Sequence, residues 1–204
     1  MTSVKSVLRS LAPQLDLDAN ELIAYAEEDD IGGWDFGKGD WEIGSIFGDE
    51  GQILYALIRA LRPETVVEVG VAYGCSSKHI LTALTKNRKG KLISVDPEPM
   101  ADESRFTEAQ LKRWEIIEES IFKATLPKSA DVVFEDGTHK LDFTIPALKR
   151  LMKLSPRILL SHDLEHYIVG EDMRKAWDDV IGDYQTALTS GSDSGLGWYV
   201  NPEA

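Results

Sequence analysis

From residue 50 onward, short β-branched apolar runs alternate with helical stretches, and this constrains the chain more than any other feature. The runs are TVVEVG, LISVD, WEIIEES, DVVFED and RILLS. Each is strand length, and none shows the apolar/polar alternation of a half-exposed strand, so each reads as buried on both faces. The intervening helices are expected at residues 51–61, at GCSSKHILTALTKN, over most of PEPMADESRFTEAQLKRW, at LDFTIPALKRLMKL and around 170–182. That alternation means βαβ units, right-handed crossovers and a parallel sheet. YQTALTS and GLGWYV, split by a Gly/Ser/Asp turn, read as a closing antiparallel hairpin. The expected fold is α/β: a Rossmann-like, doubly wound, mostly parallel sheet with a C-terminal antiparallel hairpin and an N-terminal helical extension.

Residues 1–49 form that extension, and 50–204 the Rossmann-like domain. Within 4–28 one or two helices are expected, with Asp18 as an N-cap. Residues 29–49 change character: six glycines, Trp34, Phe36 and Trp41, and no period. A long loop in a compact domain is usually functional, and this one reads either as a lid over the site or as a packed arm.

Composition narrows the partners. With 22 Lys plus Arg against 35 Asp plus Glu, the formal charge of −13 repels phosphate backbones, so nucleic acid is not expected. No apolar run approaches the roughly 20 residues of a membrane span. The lone Cys75 cannot form an intramolecular disulfide, which fits a reducing, cytoplasmic compartment. A small-molecule acceptor is the expected partner; a homo-oligomer remains open.

In an open α/β sheet, ligands bind beyond the carboxyl ends of the strands. The first strand ends in Glu68-Val-Gly70-Val-Ala72-Tyr-Gly74-Cys-Ser76, a G-x-x-x-G turn lacking the G-x-G-x-x-G pattern that seats a pyrophosphate. A carboxylate at Glu68 would repel a pyrophosphate but suits an α-amino group. Asp96 ends the second strand, where a carboxylate can accept from both ribose hydroxyls. Together these favour S-adenosylmethionine over a nicotinamide dinucleotide. Two alternatives stay open: a NAD-type oxidoreductase, and a non-catalytic adenosine-ligand binding protein on the same fold.

VVEVGVAYGCSS, SVDP, EESI, VVFEDGTHKLDFTIPALKRL and ILLSHD, in that order, resemble a class I methyltransferase of the small-molecule O-methyltransferase-like group, from about residue 50 to 165. The resemblance implies that Glu68, Gly70, Ala72, Gly74 and Ser76 surround the methionine part of the cofactor. It places Asp96 at the ribose, Glu119 and Ser120 by the adenine, and Asp136 facing the methyl-transfer centre. Ala72 departs from the glycine many members carry.

Asp136-Gly-Thr-His139 ends the fourth strand and His162-Asp163 the fifth, so three of four histidines, with His166, fall at two neighbouring strand ends. Asp136, His139, His162 and Asp163 are therefore expected to converge on one cleft. A neutral histidine there would serve as general base. Alternatively, Asp136, His162 and Asp163 would ligate a divalent metal that lowers the acceptor hydroxyl's pKa. Both readings stand on the sequence, as does one in which Asp163 merely caps a helix.

Overall fold

The computed structural model describes residues 2–28, 46, 48–189 and 194–204. Trp34, Phe36 and Trp41 lie outside the described residues, and so does the lid-or-arm question. Two helices open the chain, α1 (Val4–Gln14) and α2 (Ala19–Ala26); the Asp18 carboxylate caps α2 by accepting from the Asn20 and Glu21 N–H groups. Helix α3 (Gly48–Leu61) leads into β1 (Thr65–Val69) and α4 (Cys75–Asn87). Then follow β2 (Lys91–Val95), the single-turn α5 (Glu108–Leu111), β3 (Trp114–Ile117) and β4 (Val132–Glu135). Helix α6 (Leu141–Leu151), β5 (Ile158–His162), α7 (Gly170–Val180), β6 (Gln185–Ala187) and β7 (Leu196–Val200) complete it.

The seven strands lie in the order β3-β2-β1-β4-β5-β7-β6. The first five are parallel; β7 runs antiparallel to β5 and to β6. This is the fold expected from the sequence, hairpin included. One stretch departs. Residues 97–113 hold only a 3₁₀ turn at Glu103–Arg105 and four residues of α-helix, not an extended helix. Pro97 and Pro99 discourage helix at the start, and Asp102 and Thr107 each accept from a backbone N–H and cap a separate short turn.

Alternate strand residues feed two cores. On one face Val66, Leu92, Val132, Phe134, Ile158 and Leu160 meet the helices α1 to α4. On the other, Val67, Val69, Ile93, Val133 and Leu159 meet α6 and α7, with Trp177 wholly buried. Burying side chains of this size contributes about 1.5–3 kcal/mol each. Among the described residues no helix is long and apolar enough to cross a membrane.

Two glutamates interrupt these apolar strands. Glu68 on β1 faces Ser94 across the β2 register and accepts from Ser76, Ser77 and Ser94 hydroxyls at 2.6, 2.7 and 2.5 Å. Glu135 on β4 faces Ser161 on β5 and accepts its hydroxyl at 2.9 Å. Both are fully buried. Burial pushes the Glu68 carboxyl up to about 7 against the opposing pull of its serine partners. Burial raises Glu135 likewise.

Candidate functional site

The turn after β1 is built around Gly70. Its φ is +86°, and a Cβ there would stand 2.0 Å from the Asp136 carbonyl oxygen, so only glycine lets the β1 and β4 ends approach this closely. Ala72 sits at φ +44°, a left-handed value that a glycine would adopt without strain. The Asp96 carboxylate holds this turn: Oδ2 accepts from Val71 N–H at 2.7 Å and Ala72 N–H at 3.1 Å, while Oδ1 accepts from Glu98 N–H at 2.8 Å. Gly74 is the N-cap residue of α4.

A cleft of about 340 Å³ opens over the carboxyl ends of β1, β2 and β4. Gly70, Ala72, Asp96, Ser120 and Asp136 are on its wall, with Phe143 closing one side. A smaller recess of about 30 Å³ lies against the same turn and includes Gly70, Ala72, Ser76 and Asp136. Of the cofactor residues expected from the sequence, Glu68, Gly74 and Glu119 line neither space. Glu68 is occupied by its three serines instead, and ties the first turn of α4 to β1 and β2.

At the β4 and β5 ends four side chains meet. His139 Nε2 is 3.0 Å from Asp163 Oδ2 and 3.5 Å from Asp136 Oδ1. His162 Nδ1 is 3.1 Å from the same Asp163 oxygen and 3.4 Å from the same Asp136 oxygen. Asp136, His139 and Asp163 offer ligand atoms within 4.8 Å of one another. Asp163 holds φ +65°, a conformation unusual for a side-chain-bearing residue though accessible to aspartate. It is not a helix cap: α7 begins only at Gly170, and His166 Nδ1 accepts from Ile168 and Val169 N–H on the way there.

The electrostatics follow from crowding. Burial alone would lower His139, but its contacts with Asp136 and Asp163 raise it to about 10. Burial opposes and the Asp136, Asp163 and Glu50 carboxylates overcome it at His162, which is raised well above the usual imidazole range. Burial would raise both aspartates, and the histidines hold them below the ordinary carboxylate range instead.

The sequence reading missed two residues. Glu50, in the first turn of α3 and 1% exposed, places Oε2 3.0 Å from His162 Nε2. An acidic residue in a helix's first turn reads as a dipole partner, so nothing marked it as facing inward. His79, within α4, is buried, and burial holds it down at about 4.

Comparison with known proteins fits this geometry. Residues 67–164 match the methyltransferase domain family. The SAH-bound methyltransferase PaMTH1 of Podospora anserina superposes with a TM-score of 0.62 at 16% identity, covering 88% of this chain and 93% of that one. An O-methyltransferase from Bacillus cereus in complex with SAH gives 0.63 at 13%, covering 95% and 96%. The O-methyltransferase TomG of Streptomyces achromogenes, involved in tomaymycin synthesis and in complex with SAM, gives 0.60 at 16%, covering 98% and 90%. No curated protein matches significantly in sequence. Residues 67–164 carry that domain match, and the fold is the one shared with these SAM- and SAH-bound structures.

Proposed function

We propose that this protein transfers the methyl group of S-adenosylmethionine to a hydroxyl of a small molecule, in the cytoplasm, with a divalent cation held by Asp136, His139, His162 and Asp163. One observation carries the cation: His139 Nε2 and His162 Nδ1 are buried with no hydrogen-bond partner, and both face the same two carboxylate oxygens. Buried polar atoms without partners call for an explanation. Their separations from those oxygens, 3.0–3.5 Å, suit a shared ion; bonds of about 2.1 Å place neighbouring donors about 3.0–3.4 Å apart. Two imidazoles among the ligands favour Mn²⁺, Fe²⁺ or Zn²⁺ over Mg²⁺.

The cofactor would occupy the cleft, its ribose by Asp96 and its adenine by Ser120 and Phe143. The neighbours in complex with SAM or SAH support that placement. Methyl transfer is an in-line displacement: the acceptor oxygen attacks the methyl carbon as the bond to sulfur breaks. The protein's part is to bring the oxygen into line and accept its proton. A bound cation would lower the acceptor hydroxyl's pKa. Asp136, shared between the cleft and the cluster, sets the distance between methyl donor and acceptor. The buried Cys75 and the charge of −13 support a small, non-nucleic acceptor in a reducing compartment.

Calorimetry with S-adenosylhomocysteine, NAD and Mn²⁺ tests the reading. Binding of S-adenosylhomocysteine and Mn²⁺, each without NAD binding, is expected. NAD binding without S-adenosylhomocysteine binding overturns the cofactor, and no Mn²⁺ binding overturns the cation.

A further inference from the structure

Glu50 lies upstream of the matched domain, on a helix the chain lays down before its first strand. Its carboxylate nevertheless reaches the floor of the β5 end. We propose that Glu50 is a positioning residue for the cluster. By accepting the His162 Nε2 hydrogen, it leaves the Nδ1 lone pair, with the Asp136 and Asp163 oxygens, facing a divalent cation. This rests on the cation reading above and adds a residue that touches neither cofactor nor ion.

An ionised carboxylate can only accept, so a 3.0 Å contact with Nε2 places the imidazole hydrogen on that nitrogen. The two aspartates keep a second proton on Nδ1, and a cation that displaces it meets the Nδ1 lone pair. That lone pair faces Asp163 Oδ2 at 3.1 Å and Asp136 Oδ1 at 3.4 Å, outside hydrogen-bond geometry. Two carboxylate oxygens and a ring nitrogen so close call for a positive charge among them, a proton in the free protein or a cation that replaces it. A histidine ligand whose other nitrogen is held by a carboxylate is a recurrent way of fixing ring orientation and raising basicity.

Helix α3 is well placed to hold Glu50 there. Next in the chain, Gly51 lies against the His79 ring on α4, so close that a Cβ would fall 2.3 Å from its Nε2. That contact fixes the rotation of α3 about its axis. With Gly51 turned to α4, Glu50 faces His162.

The test uses the full chain with Mn²⁺ alone, read by calorimetry, together with ¹⁵N NMR of the His162 ring in the metal-free protein above its titration range. Glu50→Gln keeps an amide oxygen that accepts from Nε2, so Mn²⁺ affinity should stay within a few-fold and the Nε2–H tautomer should persist. Glu50→Ala should lose about 10–100-fold in Mn²⁺ affinity and populate both tautomers. A folded Glu50→Ala chain that binds Mn²⁺ like wild type overturns the proposal and leaves the cation reading intact. Wild type that binds no Mn²⁺ overturns the cation reading and this proposal with it. Should Glu50→Ala fail to fold, the wild-type tautomer decides: Nε2–H supports the proposal, Nδ1–H overturns it.

Discussion

Gly51 and His79 are pressed together where α3 crosses α4: a Cβ on Gly51 would stand 2.3 Å from the imidazole Nε2 and 2.6 Å from Cε1. Both residues belong to packed helix faces, so neither can step aside freely. Gly51→Ala should therefore cost about 1–3 kcal/mol, the range for overpacking a tight core, seen as a lower denaturant midpoint at unchanged slope. Combined with His79→Ala, which empties the space the methyl needs, its cost should shrink by at least half. Additive costs in that double-mutant cycle would show the contact is not what Gly51 serves.

Between about pH 4.5 and 6.5, His79 and Glu68 should pull stability in opposite directions, with the raised Glu135 acting on the side of Glu68. His79 is held down at about 4 by burial, so in that window the unfolded chain takes up a proton the folded one refuses, and stability rises with pH. Glu68 is pushed up to about 7 by burial, so the folded chain keeps a proton the unfolded one has lost, and stability falls with pH. Each amounts to about 3 kcal/mol by linkage. Glu68→Gln should expose the rising slope, and His79→Phe the falling one. Parallel profiles for both variants, by urea titration at each pH, would refute the assignment.

Cofactor binding should stabilise the fold. S-adenosylhomocysteine at a hundredfold excess over Kd should add about 2.7 kcal/mol, and NAD nothing. Asp96→Ala should reduce that gain more than a lost ribose contact alone would, because the carboxylate also holds the Val71 and Ala72 N–H groups of the turn. Asp96→Asn, whose amide oxygen can still accept from the turn, should fall between. Equal thermal shifts for wild type and Asp96→Ala would remove Asp96 from the site.

Mn²⁺ affinity should rise with pH. His139 is raised to about 10 by Asp136 and Asp163, so over the neutral range it carries a proton that the ion must displace. His162 is raised likewise, so loss of both protons per ion means a gain of up to about a hundredfold per pH unit over the neutral range. His139→Ala should flatten that slope and weaken binding, and chelation should abolish turnover. Affinity independent of pH in the wild type would mean His139 does not contact the ion.

Much of this was legible in the sequence, for identifiable reasons. Strands buried on both faces advertise themselves as unbroken β-branched runs, and strand order then brings the ends of β4 and β5 side by side. Asp136, His139, His162 and Asp163 needed no more than that to be found together. Glu50 was invisible because its contact joins residues 112 apart in the chain, from α3 to the end of β5, and because acidic residues in a first helical turn are common for local reasons. Glu68 was read as a ligand residue; its three hydroxyl partners come from two separate elements, Ser76 and Ser77 on α4 and Ser94 on β2, and only their convergence shows the carboxylate is taken. The helix expected over 97–113 broke because its caps come too soon.

The outermost strand, β6, pairs on one side only. Its other side is met by the start of the chain: Thr2 forms a bridge with Thr189, and Ser10 and Gln14 donate to the Gln185 side chain. Arg157 donates to the Leu15 carbonyl a little further in. An uncovered sheet edge is a template for pairing with another molecule. The start of the chain thus covers that edge, and trimming the chain before α2 should leave the β6 side unpaired.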